Sequence, residues 1–153
     1  MSAPSGTTGT VTVPELGSSR VIAEDGKIVW AGGASVGSVS ATEANGAVTF
    51  SGVSGSHTFA WVANPAPSDV CTLTTQYVDL SANYQSLKPA GKAVVDALVN
   101  GACTILTSIG PDLVPAKKEA FIQAYDKNAQ SLAKQGWLTQ TQSGTLQTLA
   151  GAL

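Results

Sequence analysis

Charged side chains are scarce in this chain of 153 residues. Lys, Arg, Asp and Glu together make up 12% of it, and the net charge is −2, whereas about 25% of a soluble domain is ordinarily charged. The few basic residues are scattered. Because neutralising phosphates takes clustered Lys and Arg, this scarcity excludes a nucleic-acid partner and a polybasic membrane contact.

Long apolar runs are also missing. The most apolar segment, residues 93–110, carries Asp96 and Asn100, which lie four residues apart and so on one side of a helix. This pattern predicts a buried bundle helix with one polar stripe, and not a membrane-spanning segment. Membrane association without a span stays open.

The first ten residues lack the charged and apolar regions of a signal peptide. They are small residues and a proline after Met1, as is typical of a chain from which a leader has been removed. We therefore expect a secreted or cell-envelope protein.

Cysteine occurs only at positions 71 and 103, and His57 is the one histidine. The cysteines form no CxxC pair, and His57 is the only further soft ligand, so the sequence predicts neither a zinc site nor any other cofactor. The alternatives for the two cysteines are a disulfide and a pair of buried thiols.

Two apolar stripes favour the disulfide. The first predicts a helix after Pro67, the second predicts another up to Gly110, and Pro89 begins the second helix. The stripes comprise Val70, Leu73, Tyr77, Leu80, Tyr84 and Leu87, then Val94 or Val95, Leu98, Ala102, Ile105 and Ile109. Cys71 and Cys103 are equally far from Leu87 at the bend, so an antiparallel hairpin brings them together. A disulfide there would contribute about 3–4 kcal/mol and indicates an oxidising compartment.

The chain changes character near residue 64. Residues 1–9 are predicted to be a flexible tail, residues 10–64 a β-rich subdomain and residues 68–153 an α-helical subdomain. Strands are predicted at residues 10–13, 20–24, 27–30, 36–43, 47–53 and 57–62, with hairpin turns at Asp25-Gly26 and Asn45-Gly46.

The helical subdomain continues with a helix from Pro115, a C-cap at Gly136 and a final helix over residues 140–150. The predicted fold class is α+β. An antiparallel β-meander or small sandwich precedes a four-helix segment with a disulfide-stapled hairpin, and we expect the two parts to pack as one unit.

Residues 33–37 match G-x-S-x-G, the pattern of a hydrolase nucleophile. That serine needs a strand before it and a helix after it, but the residues after Ser35 predict strand, turn and strand. The only histidine also follows Ser35 and precedes most of the acidic residues, which is the wrong order for this fold. We interpret the segment as a glycine-rich turn and predict no catalytic residue and no enzymatic activity.

His57, Phe59 and Trp61 alternate along one predicted strand and form a candidate ligand-binding face; the alternative for the aromatic residues is core packing. We predict a non-enzymatic secreted or envelope-associated bacterial protein that binds a partner or an apolar ligand. The alternatives are a helical envelope pore and a surface-layer or virion structural protein. A serine hydrolase using Ser35 has the least support.

Overall fold

A computed structural model describes residues 7–14, 21–62 and 65–153. The chain divides into two compact units, Met1–Asn64 and Pro65–Leu153, here called the β unit and the helical unit. The predicted α+β class, with strands preceding helices, is confirmed. Most of the predicted tail, and Arg20 of the second predicted strand, lie outside the described residues, while Gly9 already belongs to the first strand.

The described part of the β unit contains seven strands. They are β1 (Gly9–Pro14), β2 (Val21–Glu24), β3 (Lys27–Ala31), β4 (Ala34–Ser35), β5 (Ser40–Ala44), β6 (Ala47–Val53) and β7 (Phe59–Val62). All pairs are antiparallel, and they form a three-stranded sheet in the order β1-β6-β5 and a four-stranded sheet in the order β4-β3-β2-β7.

Side chains from both sheets share one core. Val48 and Phe50 of the three-stranded sheet cluster with Ile22, Val29 and Trp30 of the four-stranded sheet. Val48 and Phe50 alternate along β6 and so share one face of that strand, whereas the adjacent Val29 and Trp30 lie at an irregularity in the β2–β3 register. Burial of these residues stabilises the core by roughly 25 cal/mol per Å² of apolar surface. The β unit is therefore a small sandwich.

Both predicted hairpin turns are present. Asp25 and Gly26 have φ of 48° and 82°, and Asn45 and Gly46 have φ of 53° and 72°. Two consecutive left-handed residues give the turn whose twist matches that of the paired strands. Asp, Asn and Gly adopt this conformation at the least cost, so these two dipeptides fix the strand register.

Of the strand predicted over residues 36–43, residues 40–43 lie in β5, whereas residues 36–39 lie outside the strands. The chain between β4 and β5 passes from one sheet to the other. Gly37 has φ of 84° and turns the chain away from β3, so that β5 joins the other sheet. The last strand also begins at Phe59 and not at His57, because Thr58 is held by Asp25 through two hydrogen bonds that involve the Thr58 backbone.

The helical unit contains five helices, one more than predicted. They are α1 (Pro67–Asp79), α2 (Ala82–Gln85), α3 (Pro89–Thr107), α4 (Pro115–Lys134) and α5 (Gln140–Gly151). The single helix predicted through Leu87 is broken after α1. Ser81 adopts an extended conformation, and its side chain accepts a hydrogen bond from the Tyr84 amide, which starts α2 as a separate turn. Leu80 at the break is 49% exposed.

The apolar stripe predicted for α3 is confirmed at Val95 and Ala102, whereas Val99 and Leu106 are buried in place of Leu98 and Ile105. Buried residues on this helix are Val95, Val99, Ala102 and Leu106, while Val94 and Leu98 are 63% and 45% exposed. Apolar residues occur on several sides of α3. Helical periodicity is therefore compatible with two apolar stripes, one through Val95 and Val99 and one through Val94 and Leu98. Packing against α1 and α4 selects the buried one.

The later helix boundaries agree with the predictions. Pro115 begins α4, and after its end Gly136 adopts φ of 81° while the Trp137 amide donates to the Leu132 carbonyl. This is the glycine-terminated cap that satisfies the last carbonyls of a helix. Thr139 then caps α5 through a reciprocal pair of hydrogen bonds with Gln142.

Candidate functional site

Ser35 lies on the edge strand β4, opposite Trp30 of β3. The chain after it turns at Gly37 and enters β5, so no helix follows the serine. Trp30 in turn pairs with Ile22, and Ile22 with Trp61 of the other edge strand. Three strand spacings, roughly 14 Å, separate the edge strand of Ser35 from β7. His57 precedes β7, so the sheet does not bring this histidine to Ser35.

His57 lies beside the turn between β2 and β3. Its Nδ1 is 2.9 Å from Asp25 Oδ2 and 3.1 Å from Glu24 Oε1, and its Nε2 is 2.6 Å from the Ser54 carbonyl oxygen. Asp25 Oδ1 also accepts from the Thr58 amide. Both ring nitrogens thus face acceptors, an arrangement that only the doubly protonated imidazolium satisfies completely.

These contacts shift the pKa values of both His57 and Asp25. The Ser54 carbonyl, followed by the Asp25 carboxylate, raises the pKa of His57 above its ordinary value of 6.5. The Thr58 amide, followed by His57, lowers the pKa of Asp25. The three side chains of His57, Asp25 and Glu24 form what we call the histidine clasp. It joins the β2–β3 turn to the segment before β7.

Phe59 and Trp61, the other two residues of the predicted ligand-binding face, are half-buried and pack against the sandwich core. The ring of Phe59 lies 4.9 Å from that of Phe50. Their contacts are therefore those of core residues, and His57 points to the clasp. The ligand-binding face formed by these three residues stays a prediction.

Cys71 of α1 and Cys103 of α3 are neighbours across the packed helices, as the symmetric spacing predicted. Both are partly buried, and their thiols are not covalently joined. They lie close, though not at disulfide distance. The disulfide itself stays a prediction.

A buried polar pair fixes α4 against α1 near the cysteines. Tyr125 Oη and Thr74 Oγ1 are 2.6 Å apart, and Thr74 Oγ1 donates to the Val70 carbonyl, so the tyrosine hydroxyl is the donor to the threonine. Both side chains are fully buried, and burial raises the pKa of Tyr125. The tyrosine is thus neutral and serves packing.

An apolar cleft of about 430 Å³ opens where α1 begins, α3 ends and α4 begins. We call it the proline cleft, and its apolar lining consists of Pro65, Pro67, Ile109, Pro111, Leu113, Pro115 and Leu153. Lys118 also lines it, and its Nζ donates to the Leu153 carbonyl. Proline side chains have little conformational freedom to lose, so these walls are preorganised.

A second cleft, of about 330 Å³, is acidic and lies between α1, α2 and α3. The residues that line it are Thr75, Val78, Asp79, Tyr84, Asp96, Val99 and Asn100. Tyr84 donates to Asp96 over 2.7 Å, which is the main reason that the pKa of Tyr84 rises to about 12. Lys92 Nζ lies 4.9 Å from the centre of the Tyr84 ring.

The polar stripe of Asp96 and Asn100 noted in the sequence lines this acidic cleft. The proline cleft was missed, although Gly110-Pro111 and Pro115 mark the loop that forms it. Residues 65–67 and 109–115 are distant in sequence, so no local pattern indicates that they meet.

Comparisons of the chain with protein-family models, curated proteins and solved structures gave no match. Within the described ranges, His, Cys, Asp and Glu nowhere form a group of three arranged to hold a metal ion. Among the helices described, none has the length and apolar character required to cross a membrane.

Proposed function

We propose that this protein is a non-enzymatic binding protein, secreted or attached to the cell envelope, that holds an apolar ligand in the proline cleft. The observation that carries the proposal is the cleft itself. It has about 430 Å³ of space and an apolar lining of prolines, Ile109 and Leu113, and small-molecule sites ordinarily offer about 300–1,000 Å³.

The chemistry of the cleft favours a ligand with an uncharged hydrocarbon portion. Its one cationic side chain, Lys118, already donates to the Leu153 carbonyl, so the lining offers no unengaged charge to an ionic group. Each Å² of apolar ligand surface buried there contributes roughly 25 cal/mol. In the acidic cleft, by contrast, Tyr84 and Asp96 are already hydrogen-bonded to each other.

The cellular location is part of the same proposal. Cys71 and Cys103 are neighbours on packed helices, and we propose that they form a disulfide in an oxidising compartment. Intact-mass spectrometry of protein purified from its native host tests this. A mass two hydrogens below that of the dithiol is expected, and a fully reduced chain contradicts it.

Ligand binding is tested with the neutral apolar dye N-phenyl-1-naphthylamine. We expect saturable fluorescence enhancement by the full chain. Leu113→Asn or Ile109→Asn should weaken binding about tenfold, because each places an amide in the apolar wall. The matched control is Val94→Asn, which changes an exposed apolar residue outside the cleft and should leave affinity unchanged.

Circular dichroism establishes that each variant keeps its helices before affinities are compared. Absence of saturable binding by the unaltered chain contradicts the ligand proposal. Equal weakening by Val94→Asn and the cleft variants places the dye elsewhere and contradicts the site.

A second candidate function is self-assembly, as an envelope pore or as a component of a surface layer or virion. It is favoured by Val94 and Leu98, which lie four residues apart and are exposed on one side of α3. Multi-angle light scattering should then show an oligomer that Leu98→Lys disperses. A monomer at all concentrations contradicts it.

A further inference from the structure

We propose that the outer face of the three-stranded sheet binds a neutral polysaccharide through two rows of hydroxyl side chains. The proposal goes beyond the apolar ligand of the proline cleft, because it concerns the other unit of the chain and a different chemistry. We call this surface the hydroxyl face. Its members are Thr10, Ser51 and Ser40 in one row and Thr12, Thr49 and Thr42 in the other.

Each strand of this sheet repeats the order hydroxyl, apolar, hydroxyl. The apolar residue is Val11 in β1, Phe50 in β6 and Ala41 in β5, and each belongs to the sandwich core or packs against it. Because successive side chains of a strand point to opposite faces, the flanking hydroxyl residues lie on the outer face. Five of the six are exposed, and Thr49, on the central strand, is partly buried.

The strand register aligns the hydroxyl residues across the sheet. Thr49 is directly opposite Thr12 on one side and Thr42 on the other, and the same strands align Ser51 with its two row neighbours. Neighbouring strands lie roughly 4.8 Å apart, and residues two positions apart along a strand lie roughly 7 Å apart, so two parallel rows run across the strands. The Oγ1 atoms of Thr12 and Thr49 are 3.1 Å apart, which shows that hydroxyl groups within a row reach one another.

The hydroxyl face has no charged side chain among its six positions. Glu43 belongs to β5 but alternates with Thr42, and its carboxylate lies beside Gly33, between β3 and β4. A neutral face offers no attraction to phosphate or carboxylate groups, and an apolar ligand would bury the hydroxyl groups without hydrogen-bond partners. The matching chemistry is a neutral ligand rich in hydroxyl groups, because each hydroxyl both donates and accepts.

An extended polysaccharide fits both the arrangement and the size of the hydroxyl face. Its sugar rings carry hydroxyl groups along both edges of the chain and repeat at a distance similar to the strand spacing. A chain that runs across the strands between the two rows can therefore hydrogen-bond to both. The face measures about 10 Å by 7 Å between its outermost positions, far below the roughly 800 Å² per partner that a stable protein complex buries. This small area argues against a second copy of the chain as the occupant.

Each hydroxyl contact is weak, because it replaces hydrogen bonds to water of similar strength. A polymer compensates by presenting many equivalent sites, which raises the effective concentration of sites around a bound protein. We therefore expect retention on an insoluble polysaccharide and only weak binding of short soluble oligosaccharides.

Depletion from solution by insoluble neutral polysaccharides tests the proposal, with cellulose, chitin, mannan and starch as the probes. At least one of them should retain the full chain. An about tenfold rise in salt concentration should leave retention unchanged, because salt screens charges and not neutral hydrogen bonds. Retention by none of the probes, or retention that high salt abolishes, overturns the proposal.

Substitutions at Thr49 test the site. Thr49→Val removes the central hydroxyl but keeps a β-branched side chain suited to a strand, and it should reduce the retained fraction several-fold. Thr49→Ser keeps a hydroxyl and should keep binding. Thr42→Val on the neighbouring strand is a second variant with the same direction of effect. The matched control is Thr58→Val, which removes an exposed hydroxyl of the β unit outside the hydroxyl face and should leave retention unchanged.

Circular dichroism establishes that each variant keeps its fold before the retained fractions are compared. Retention of both valine variants at the level of the unaltered chain overturns the site. An oligomer in multi-angle light scattering that Thr49→Lys disperses would show that a second copy occupies the face, and also overturns it. None of these results bears on dye binding, which tests the proline cleft separately.

Discussion

The β unit and the helical unit obtain their backbone geometry by different means. Among the described residues, Asp25 and Asn45 are the non-glycine positions with positive φ, and both lie in the β unit. The same unit holds nearly all the left-handed glycines, and Gly136 is the one found in the helical unit. The sandwich depends on turns that reverse the chain, because antiparallel strands need a left-handed residue at each tight turn.

The helical unit depends on side chains at helix ends and in its interior. Ser81 and Thr139 cap helices through their hydroxyl groups, and Thr74 and Ser143 are polar residues buried in its core. Local hydrogen bonds of this kind end one helix and start the next. Substitutions should therefore act by different mechanisms in the two units.

The largest expected effect is the loss of a core side chain from one unit. Phe50→Ala removes a fully buried ring from the sandwich core, whose members all belong to the β unit, and should cost about 3–5 kcal/mol. We expect the strands to unfold while the helical circular-dichroism signal persists. The reciprocal variant, Leu73→Ala, should lower the free energy of unfolding of the helical unit by about 2–5 kcal/mol. A single joint transition in both variants would contradict this expectation of independent unfolding.

The next effect concerns the buried polar pair. Thr74→Val leaves the Tyr125 hydroxyl buried without its acceptor, which should cost the helical unit about 1–3 kcal/mol in urea unfolding. Adding Tyr125→Phe removes the unsatisfied donor and should restore part of that stability. Strictly additive losses in the double variant would show that the hydroxyls do not interact.

The same substitution should have opposite signs in the two units. Gly46 has φ of 72° and open space around its Cβ position, and Gly144 lies inside α5, also with open space. Gly46→Ala should destabilise the β unit by about 1–2 kcal/mol through backbone strain. Gly144→Ala should stabilise the helical unit by about 1 kcal/mol through helix propensity. Chemical denaturation of both variants measures this, and a stabilising Gly46→Ala would refute the turn geometry.

The smallest expected effect is the pH dependence of the histidine clasp. Because the folded pKa of His57 is raised, its contribution to stability is fully present below 6.5 and is lost as pH rises through the folded pKa. The folded pKa of Asp25 is lowered. The stability that Asp25 contributes is therefore lost as pH falls through its folded pKa. Nuclear magnetic resonance titration should therefore show His57 titrating above 6.5. In His57→Gln the free energy of unfolding of the β unit should lose its dependence on pH in this range. In the unaltered chain, a His57 pKa below 6.5 would disprove the clasp.

Local chemistry determined much of the fold. Asp25-Gly26, Asn45-Gly46, Pro115 and Gly136 mark boundaries that the structure reproduces. Each acts through its own φ or missing donor, which neighbours change little. The equal spacing of Cys71 and Cys103 from Leu87 likewise placed two thiols side by side, because an antiparallel hairpin preserves distance from its bend.

Tertiary structure decided which helix face is buried and which distant segments meet, because the local sequence patterns allow more than one arrangement. The apolar residues of α3 allow two stripes, and only packing against α1 and α4 selects Val95 and Val99 over Val94 and Leu98. The proline cleft joins Pro65 and Pro67 to residues 109–115, and His57 meets Asp25 across two turns. Periodicity and turn chemistry act over a few residues and so fix the elements. Which faces meet, and therefore where the clefts and the clasp lie, depends on burial summed over the whole fold.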